Sequence, residues 1–325
     1  MTLRLGLIGA SRIAPKAAID PVRATDGVEI TCVAARDPER ARAYAQEWDL
    51  PDVAADYEAL CRRDDVDAVF ISLPASLHHP WTMAALAAGK HVLCEKPIAD
   101  NEAQAAEMVA AARDAGLVLV EAFHWRYHPS VERLRELVDQ IGPLRRMEAD
   151  FSVTIPRDDI RFVPELGGGA LMDLGCYCVQ WVRFVAGSEP TVRAATAIED
   201  PPGVDLTMTA DLHFDGDVEA VVRCSMSADE PARASLAVEG DGGRVVFTNP
   251  VSPHRGGRLR IEPAPGGPAD EETCDDTPTY TYQMRAFVAA VTEGLEVPTG
   301  GEDAIATMAT IDAIYRAAGM APRGT

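Results

Sequence analysis

The feature that most constrains the fold is a rhythm. Over the first ~120 residues, short apolar runs alternate with helical patterns, as βαβ units around a parallel sheet require. The runs are Leu3–Ile8, Ile30–Ala35, Ala68–Leu73, His91–Cys94 and Leu117–Val120. Most are continuously apolar, as strands are when helices cover both faces of a sheet. Helical spacing fills the gaps at Pro38–Trp48, Tyr57–Arg63, Trp81–Ala88 and Glu102–Ala115. Gly89 and Gly116 stand just past helix ends, where a left-handed cap favours glycine.

The pattern changes after His128-Pro129. One helix, Val131–Gln140, stops at Ile141-Gly142-Pro143. Strand-like segments follow near 144–155, 191–198, 205–214, 217–226, 234–239 and 244–248, several of them alternating apolar and polar residues. Alternation marks antiparallel strands with one face wet. A helix near 171–185 interrupts them, helices near 280–293 and 302–318 close the chain, and the Pro/Gly-rich stretch 263–268 reads as a loop. At 325 residues the chain exceeds what one core usually holds. The expected division is residues 1–125, an α/β dinucleotide-binding domain with a parallel sheet, and 126–325, an α+β domain with a large, mostly antiparallel open sheet. The last helix is expected to be free to pack back on the first domain.

Charge narrows the partners. Acidic residues outnumber basic ones 51 to 30, a formal charge of −21. That disfavours nucleic acid and anionic membranes, both of which want a basic face. The first residues read as a strand and not as a secretory signal. No apolar run reaches the ~18–20 residues of a membrane span. The seven cysteines are scattered, Cys176 and Cys178 are too close for zinc-ligand spacing, and no Cys/His pair follows. Reduced thiols in a cytoplasmic protein without a metal are expected.

The first strand runs into Gly9-Ala10-Ser11-Arg12-Ile13-Ala14. A dinucleotide fingerprint wants glycine at the turn, a small residue against the pyrophosphate and another where helix meets strand. Gly9, Ser11 and Ala14 fill those places, Ser11 replacing the usual second glycine, in the manner of a Rossmann domain. Gly9, Ala10, Ser11, Arg12 and Ile13 are therefore cofactor-binding candidates. The second strand ends in Arg36-Asp37-Pro38. Arg36 can pair with the 2′-phosphate of NADP. Asp37 is one place late for a ribose, and before proline it looks like a helix start. The alternative is that Asp37 holds the ribose and the cofactor is NAD; NADP is the preferred reading.

Cys94-Glu95-Lys96-Pro97 follows the strand at 91–94 and stands in a longer ordered series. The series runs through Gly89–Pro97, Glu121-Ala122-Phe123-His124-Trp125-Arg126-Tyr127-His128-Pro129 and Gly167-Gly168-Gly169-Ala170-Leu171-Met172-Asp173-Leu174-Gly175-Cys176-Tyr177. In these segments, and over nearly its whole length, the chain resembles the Gfo/Idh/MocA oxidoreductases. Tyr177, where inositol dehydrogenases carry histidine, makes it most similar to the dihydrodiol and aldose (xylose-type) dehydrogenases of that family.

The resemblance implies that Lys96 is the catalytic lysine, and the chemistry agrees. Hydride loss from a carbinol carbon requires loss of the hydroxyl proton. Lysine and tyrosine start at roughly 10.4 and 10, so one must be depressed to act near neutrality. A neighbouring cation stabilises tyrosinate, and the lysine charge stabilises an alkoxide. Tyr177 is read as the acid/base, Lys96 as its electrostatic partner and relay, and Asp173 as the group orienting Lys96 or a substrate hydroxyl. Which of Tyr177 and Lys96 makes the transfer is left open. Leu73, Pro74, Glu95, Lys96, Arg126 and Arg161 join the expected cofactor contacts, Arg161 with a substrate contact as its other reading; Lys96, Trp125, Asp173 and Tyr177 are the expected substrate contacts, Trp125 with core packing as its other reading. His78 is read either as a cofactor contact or as a helix cap. Tyr280 and Tyr282 are remoter candidates.

The expected substrate is a sugar, polyol or cyclic diol, oxidised at a secondary alcohol or hemiacetal carbon. The alternatives are a non-catalytic cofactor-binding sensor and a dicarbonyl or imine reductase. The resemblance further implies a homodimer or homotetramer formed through the open face of the second sheet.

Overall fold

The computed structural model describes residues 2–264 and 267–325. In chain order, the first part holds β1 (Leu3–Ile8), a π turn Pro15–Ile19 running into α1 (Asp20–Arg23), β2 (Val28–Ala34), α2 (Pro38–Trp48), α3 (Tyr57–Cys61), β3 (Ala68–Ile71), α4 (His78–Ala87), β4 (His91–Cys94), α5 (Glu102–Ala115) and β5 (Leu119–Glu121). Next come α6 (Ser130–Gln140), β6 (Leu144–Ser152), a π turn Leu171–Gly175 running into α7 (Cys176–Ala186), and β7 (Thr191–Glu199). They are followed by β8 (Asp205–Phe214), β9 (Val218–Ser225), β10 (Arg233–Gly240), β11 (Gly243–Thr248), β12 (Arg258–Pro263) and β13 (Asp270–Thr273). Two helices end the chain, α8 (Thr279–Glu293) and α9 (Glu302–Ala317).

Two compact units result: Met1–Arg126 with Tyr280–Ile305, and Tyr127–Thr279 with Ala306–Thr325. The split departs from the expected 1–125 and 126–325, and α8 rather than the last helix joins the first unit. Side chains explain it. Glu121 N donates to Thr299 O and Thr299 Oγ1 to Glu121 O, both at 2.7 Å, and the Tyr280 ring stacks on His124 with centroids 3.8 Å apart. Most of α9 is instead tied to the second unit by Gln180 and Arg183 on Thr307 and by Tyr315 on Asp205.

In the first unit a five-stranded sheet runs β2-β1-β3-β4-β5, its neighbours all parallel. Every residue of β3 is buried, which is why that run carries no polar alternation. Asn101 caps α5 by accepting from Gln104 N, and Gly116, at φ +67°, ends it. Leu117 N then donates to Ala112 O, so Leu117 belongs to the helix cap and β5 starts two residues later than expected. β2 begins at Val28, paired with Leu3, and α4 begins at His78 despite Pro80, because a first-turn proline lacks only an N–H that has no helical partner.

The second unit is built on an eight-stranded sheet, β13-β12-β11-β10-β6-β9-β8-β7. Every pair in it is antiparallel except β6 with β9. α7 packs on β6, β9 and β10, and α6 on β11 and β12. β9 shows the cause of the alternation: Val218, Ala220 and Val222 are buried, while Glu219, Val221 and Arg223 between them are not. Two strands were not anticipated. β12 puts Arg258, Arg260 and Glu262 on one side and is only half apolar, and β13 is wholly polar. Pro263, expected in a loop, ends β12; residues 265 and 266 of that stretch lie outside the described residues. Among the described residues no helix is long and apolar enough to cross a membrane, and no three His, Cys, Asp or Glu side chains group to hold a metal ion.

Candidate active site

The fingerprint turn leaves the carboxyl end of β1. Gly9 sits at φ +110°, and a Cβ there would lie 3.0 Å from Leu73 Cδ2 and 3.1 Å from Ser72 O. Only glycine fits a turn pressed this closely against the exit of β3. Ser11 Oγ donates to Ser72 Oγ (2.9 Å) and accepts from Ala14 N (3.2 Å), so the serine in the second glycine's place caps the helical turn. The carbonyls of Ala10 and Ser11 are held by Arg40 Nη2 (2.8 Å) and Tyr44 Oη (3.0 Å). The turn is thus fixed on its protein side. Arg12 is exposed and Ile13 half-buried.

Arg36 is exposed two residues past β2, and no carboxylate of the described residues pairs with it. Asp37 is committed elsewhere: its Oδ1 accepts from Glu39 N at 2.9 Å and caps α2. The expectation that Asp37 opens a helix therefore describes its place, and its carboxylate serves that helix.

Leu73 and Pro74 are half-buried at the exit of β3. His78, expected to touch cofactor or cap a helix, does not cap: α4 has no side-chain cap, and the ring is 1% exposed. Its Nδ1 lies 2.8 Å from Pro97 O and its Nε2 2.9 Å from Leu73 O. A ring so enclosed offers a cofactor no free edge. Burial, foremost, and the Lys96 charge lower the His78 pKa, against the pull of the two carbonyls.

Lys96 follows β4 and is half-buried. Glu95 is buried, and its Oε2 accepts from Lys96 N at 3.3 Å. Beyond Pro97 the loop is pinned by Ile98 N donating to Glu121 Oε1 (2.8 Å), a fully buried carboxylate that sequence reasoning did not single out. Trp125 is fully buried, which favours its core reading, with the Arg126 guanidinium 5.5 Å from its ring centre. The Tyr280 ring stacks on His124, and the Arg285 guanidinium lies over the Tyr282 ring.

In the second unit Asp173 sits within the π turn and Tyr177 on the first turn of α7, so their four-residue spacing is not the simple α-helical one. Short π segments recur at functional sites. The Tyr177 ring is 4% exposed, edge-on to Phe151 at 5.7 Å and 6.3 Å from Trp181. Asp173 pairs with Arg161: Nε donates to Oδ2 at 2.5 Å, while Arg161 Nη1 donates to Asp159 Oδ1 at 2.9 Å. The Asp173 charge is the largest influence holding the Arg161 pKa above its ordinary value. Asp173 was expected to orient Lys96 or a substrate hydroxyl. The structure gives it a guanidinium partner twelve residues upstream in the 3-10 turn Ile160–Phe162, a pairing no local spacing announces.

The start of this helical segment is tied down by a buried cluster. Asp205 Oδ2 accepts from Leu171 N (2.7 Å), and its Oδ1 accepts from Arg323 Nη2 (2.7 Å) and Tyr315 Oη (2.9 Å). A Cβ on Gly169, at φ +139°, would fall 2.1 Å from Asp205 Oδ1. Sequence reading missed this cluster. Its one signal was a carboxylate inside the apolar run Val204-Asp205-Leu206.

Comparison with known proteins agrees with the two halves. The family described as oxidoreductase family, NAD-binding Rossmann fold, matches residues 3–123, and the GFO/IDH/MocA C-terminal domain matches 131–246. A D-xylose 1-dehydrogenase (NADP(+)) of Haloferax volcanii is 37% identical over 97% of both chains. A trans-1,2-dihydrobenzene-1,2-diol dehydrogenase of Xenopus tropicalis is 35% identical over 73% of each. Among solved structures, a 3-ketoreductase from Actinomadura kijaniata in complex with NADP and TDP-benzene superposes with a TM-score of 0.90 at 30% identity, covering 98% of both chains.

Proposed function

The chain belongs to the GFO/IDH/MocA family of oxidoreductases, and from that footing we propose that it moves hydride reversibly between NADP(H) and a secondary alcohol or hemiacetal carbon of a sugar, polyol or cyclic diol. The observation that carries the cofactor reading is the pair Arg36 and Asp37. The guanidinium is exposed just past β2 with no carboxylate of the described residues paired to it, and the Asp37 carboxylate, the other candidate for a ribose diol, caps a helix. The relatives point the same way: the xylose dehydrogenase is named for NADP(+), and the 3-ketoreductase was solved with NADP. NAD is the alternative cofactor.

The fit on the protein side is the Gly9 turn, where a side chain would fill the space against β3, and which is anchored from behind by Arg40 and Tyr44. Gly9, Ala10, Ser11, Arg12 and Ile13 would hold the pyrophosphate and Arg36 the 2′-phosphate; Leu73, Pro74, Glu95, Lys96, Arg126 and Arg161 complete the proposed contacts. Bound NADP supplies a hydride acceptor for the carbinol carbon.

The remaining chemistry is proton handling by the chain's own groups. Tyr177 Oη takes the hydroxyl proton as the C–H electron pair leaves, and returns it in the reducing direction. Lys96 Nζ stabilises the developing alkoxide and tyrosinate charge and relays the proton onward. Asp173, held by Arg161, orients the substrate hydroxyl.

Substitution tests the assignment. Lys96→Met and Tyr177→Phe should each lower kcat by about 10² or more, the size of an acid/base contribution, with NADPH affinity by fluorescence titration nearly intact. Turnover like wild type in both, on a panel including D-xylose, inositol and a cyclic diol, would overturn it. Tight NADPH binding with no turnover on any member would favour the sensor reading. A cytoplasmic setting, resting on seven cysteines that are all free thiols, and a homodimer or homotetramer through the exposed side of the eight-stranded sheet are parts of the same proposal. Sedimentation equilibrium tests the latter.

A further inference from the structure

His78 has a buried ring with a carbonyl oxygen at each nitrogen. Carbonyl oxygens only accept, and a neutral imidazole has a single N–H to give. In the neutral ring, which burial and the Lys96 charge favour, the single N–H serves one carbonyl or the other according to the tautomer, and only the imidazolium donates to both at once. In either form the ring lies between two loops that have no covalent reason to stay together. Pro97 O belongs to the turn carrying Lys96, and Leu73 O to the β3 exit that packs under Gly9, with Leu73 Cδ2 and Ser72 O bordering the space a Gly9 side chain would take. Ser72 Oγ also receives the Ser11 hydroxyl.

We propose that His78 is a positioning residue that sets two things separately: the Lys96 turn through Nδ1 and Pro97 O, and the cofactor-side turn through Nε2 and Leu73 O. The assignment rests on the proposed roles of Lys96 and of the Gly9 turn. It extends them to a residue that is shut away from solvent and acts only through its neighbours. The Ile98 N bond to Glu121 holds the far side of the same lysine loop, and the histidine contact with Pro97 O lies on its near side.

The two functions separate by substitution, because an Asn amide nitrogen falls near the place of His Nδ1 and a Gln amide nitrogen near that of Nε2. His78→Asn keeps a donor for Pro97 O, His78→Gln one for Leu73 O, and His78→Leu neither. Purified full-length variants are compared by circular dichroism and thermal midpoint, by NADPH and NADH fluorescence titration, and by kcat on the best substrate of the panel. For kcat, His78→Leu and His78→Gln should fall by about ten- to a hundredfold, the scale of an ångström-sized misplacement, with His78→Asn restored to within about threefold of wild type. For cofactor affinity the order reverses, His78→Gln binding like wild type and His78→Asn as weakly as His78→Leu.

Should His78→Leu fail to fold, the Asn and Gln pair still carries the comparison. Loss of kcat and affinity in parallel across the variants, tracking thermal midpoint, would reduce the residue to plain packing and overturn the proposal, as would wild-type kcat in His78→Gln. Lys96→Met, assayed alongside, separates the two failures. If Lys96→Met stays active, the lysine assignment falls. If Lys96→Met is dead while the His78 variants show no split, only the histidine proposal falls.

Discussion

Replacing Arg323 by methionine should be among the most destabilising single changes away from the fingerprint turn. Arg323 and Asp205 form an ion pair at 2.7 Å, with side chains 8% and 0% exposed. Breaking a buried pair by removing one partner costs about 3–5 kcal/mol, because the surviving charge is left without its counter-charge. For a unit of this size that corresponds to roughly 6–20 °C in Tm. The pH dependence gives a second handle. Burial, ahead of the opposing Arg323 charge, raises the Asp205 pKa above its ordinary value. The native state then holds this proton more tightly than the unfolded chain does. The stability so contributed is full below the unfolded value and is lost as pH rises through the folded one. Without Arg323 the folded value rises further and the loss extends to higher pH. The Tm gap between wild type and Arg323→Met should therefore be wider at pH 7.5 than at pH 5, and Asp205→Asn added to the variant should narrow it at pH 7.5. Differential scanning calorimetry at the two pH values reads both. A gap under about 1 kcal/mol, or one that does not change with pH, would refute the reasoning, since a solvated pair behaves in that way.

Two further outcomes can be checked directly. On the proposed NADP reading, Arg36→Ala removes a charge-assisted contact to the 2′-phosphate and should weaken NADPH about 10- to 150-fold with little effect on NADH; a wild-type preference for NADH, or an unchanged ratio in the variant, counts against NADP. Gly169→Ala puts a methyl 2.1 Å from Asp205 Oδ1 at a φ of +139°. It should cost about 3 kcal/mol or more, and a Tm within a degree of wild type would show that the turn relaxes freely.

What the sequence disclosed and what it withheld divide along one physical line. A strand buried on both faces must be apolar along nearly all its length, so β1, β3 and β4, with only Arg4 and His91 half-buried among them, could be read from composition over a few residues. The Gly9 turn was legible for a similar reason: the backbone conformation and the contact with β3 both exclude a side chain. β12 and β13 were not legible, because the edge strand β13 and its neighbour β12 bury little and their charged residues read as loop.

The withheld part of the site is of another kind. Arg161 with Asp173, Arg323 with Asp205, and His78 between Leu73 and Pro97 are pairings made by tertiary closure, between residues 12, 118, and 5 and 19 positions apart. No periodicity encodes such pairs. Their cost nevertheless leaves a trace. A carboxylate within Val204-Asp205-Leu206 and another closing the run Leu119-Val120-Glu121 must each be charged or protonated in a place that water does not reach. The fold tolerates either only by bringing a donor to it. Both turn out to hold backbone N–H groups of the segments that carry the proposed chemistry, Leu171 at the head of the Asp173–Tyr177 segment and Ile98 behind Lys96. An ionisable residue inside an apolar run was thus the available clue to what steadies those segments, and it marked the supporting residues rather than the reactive ones.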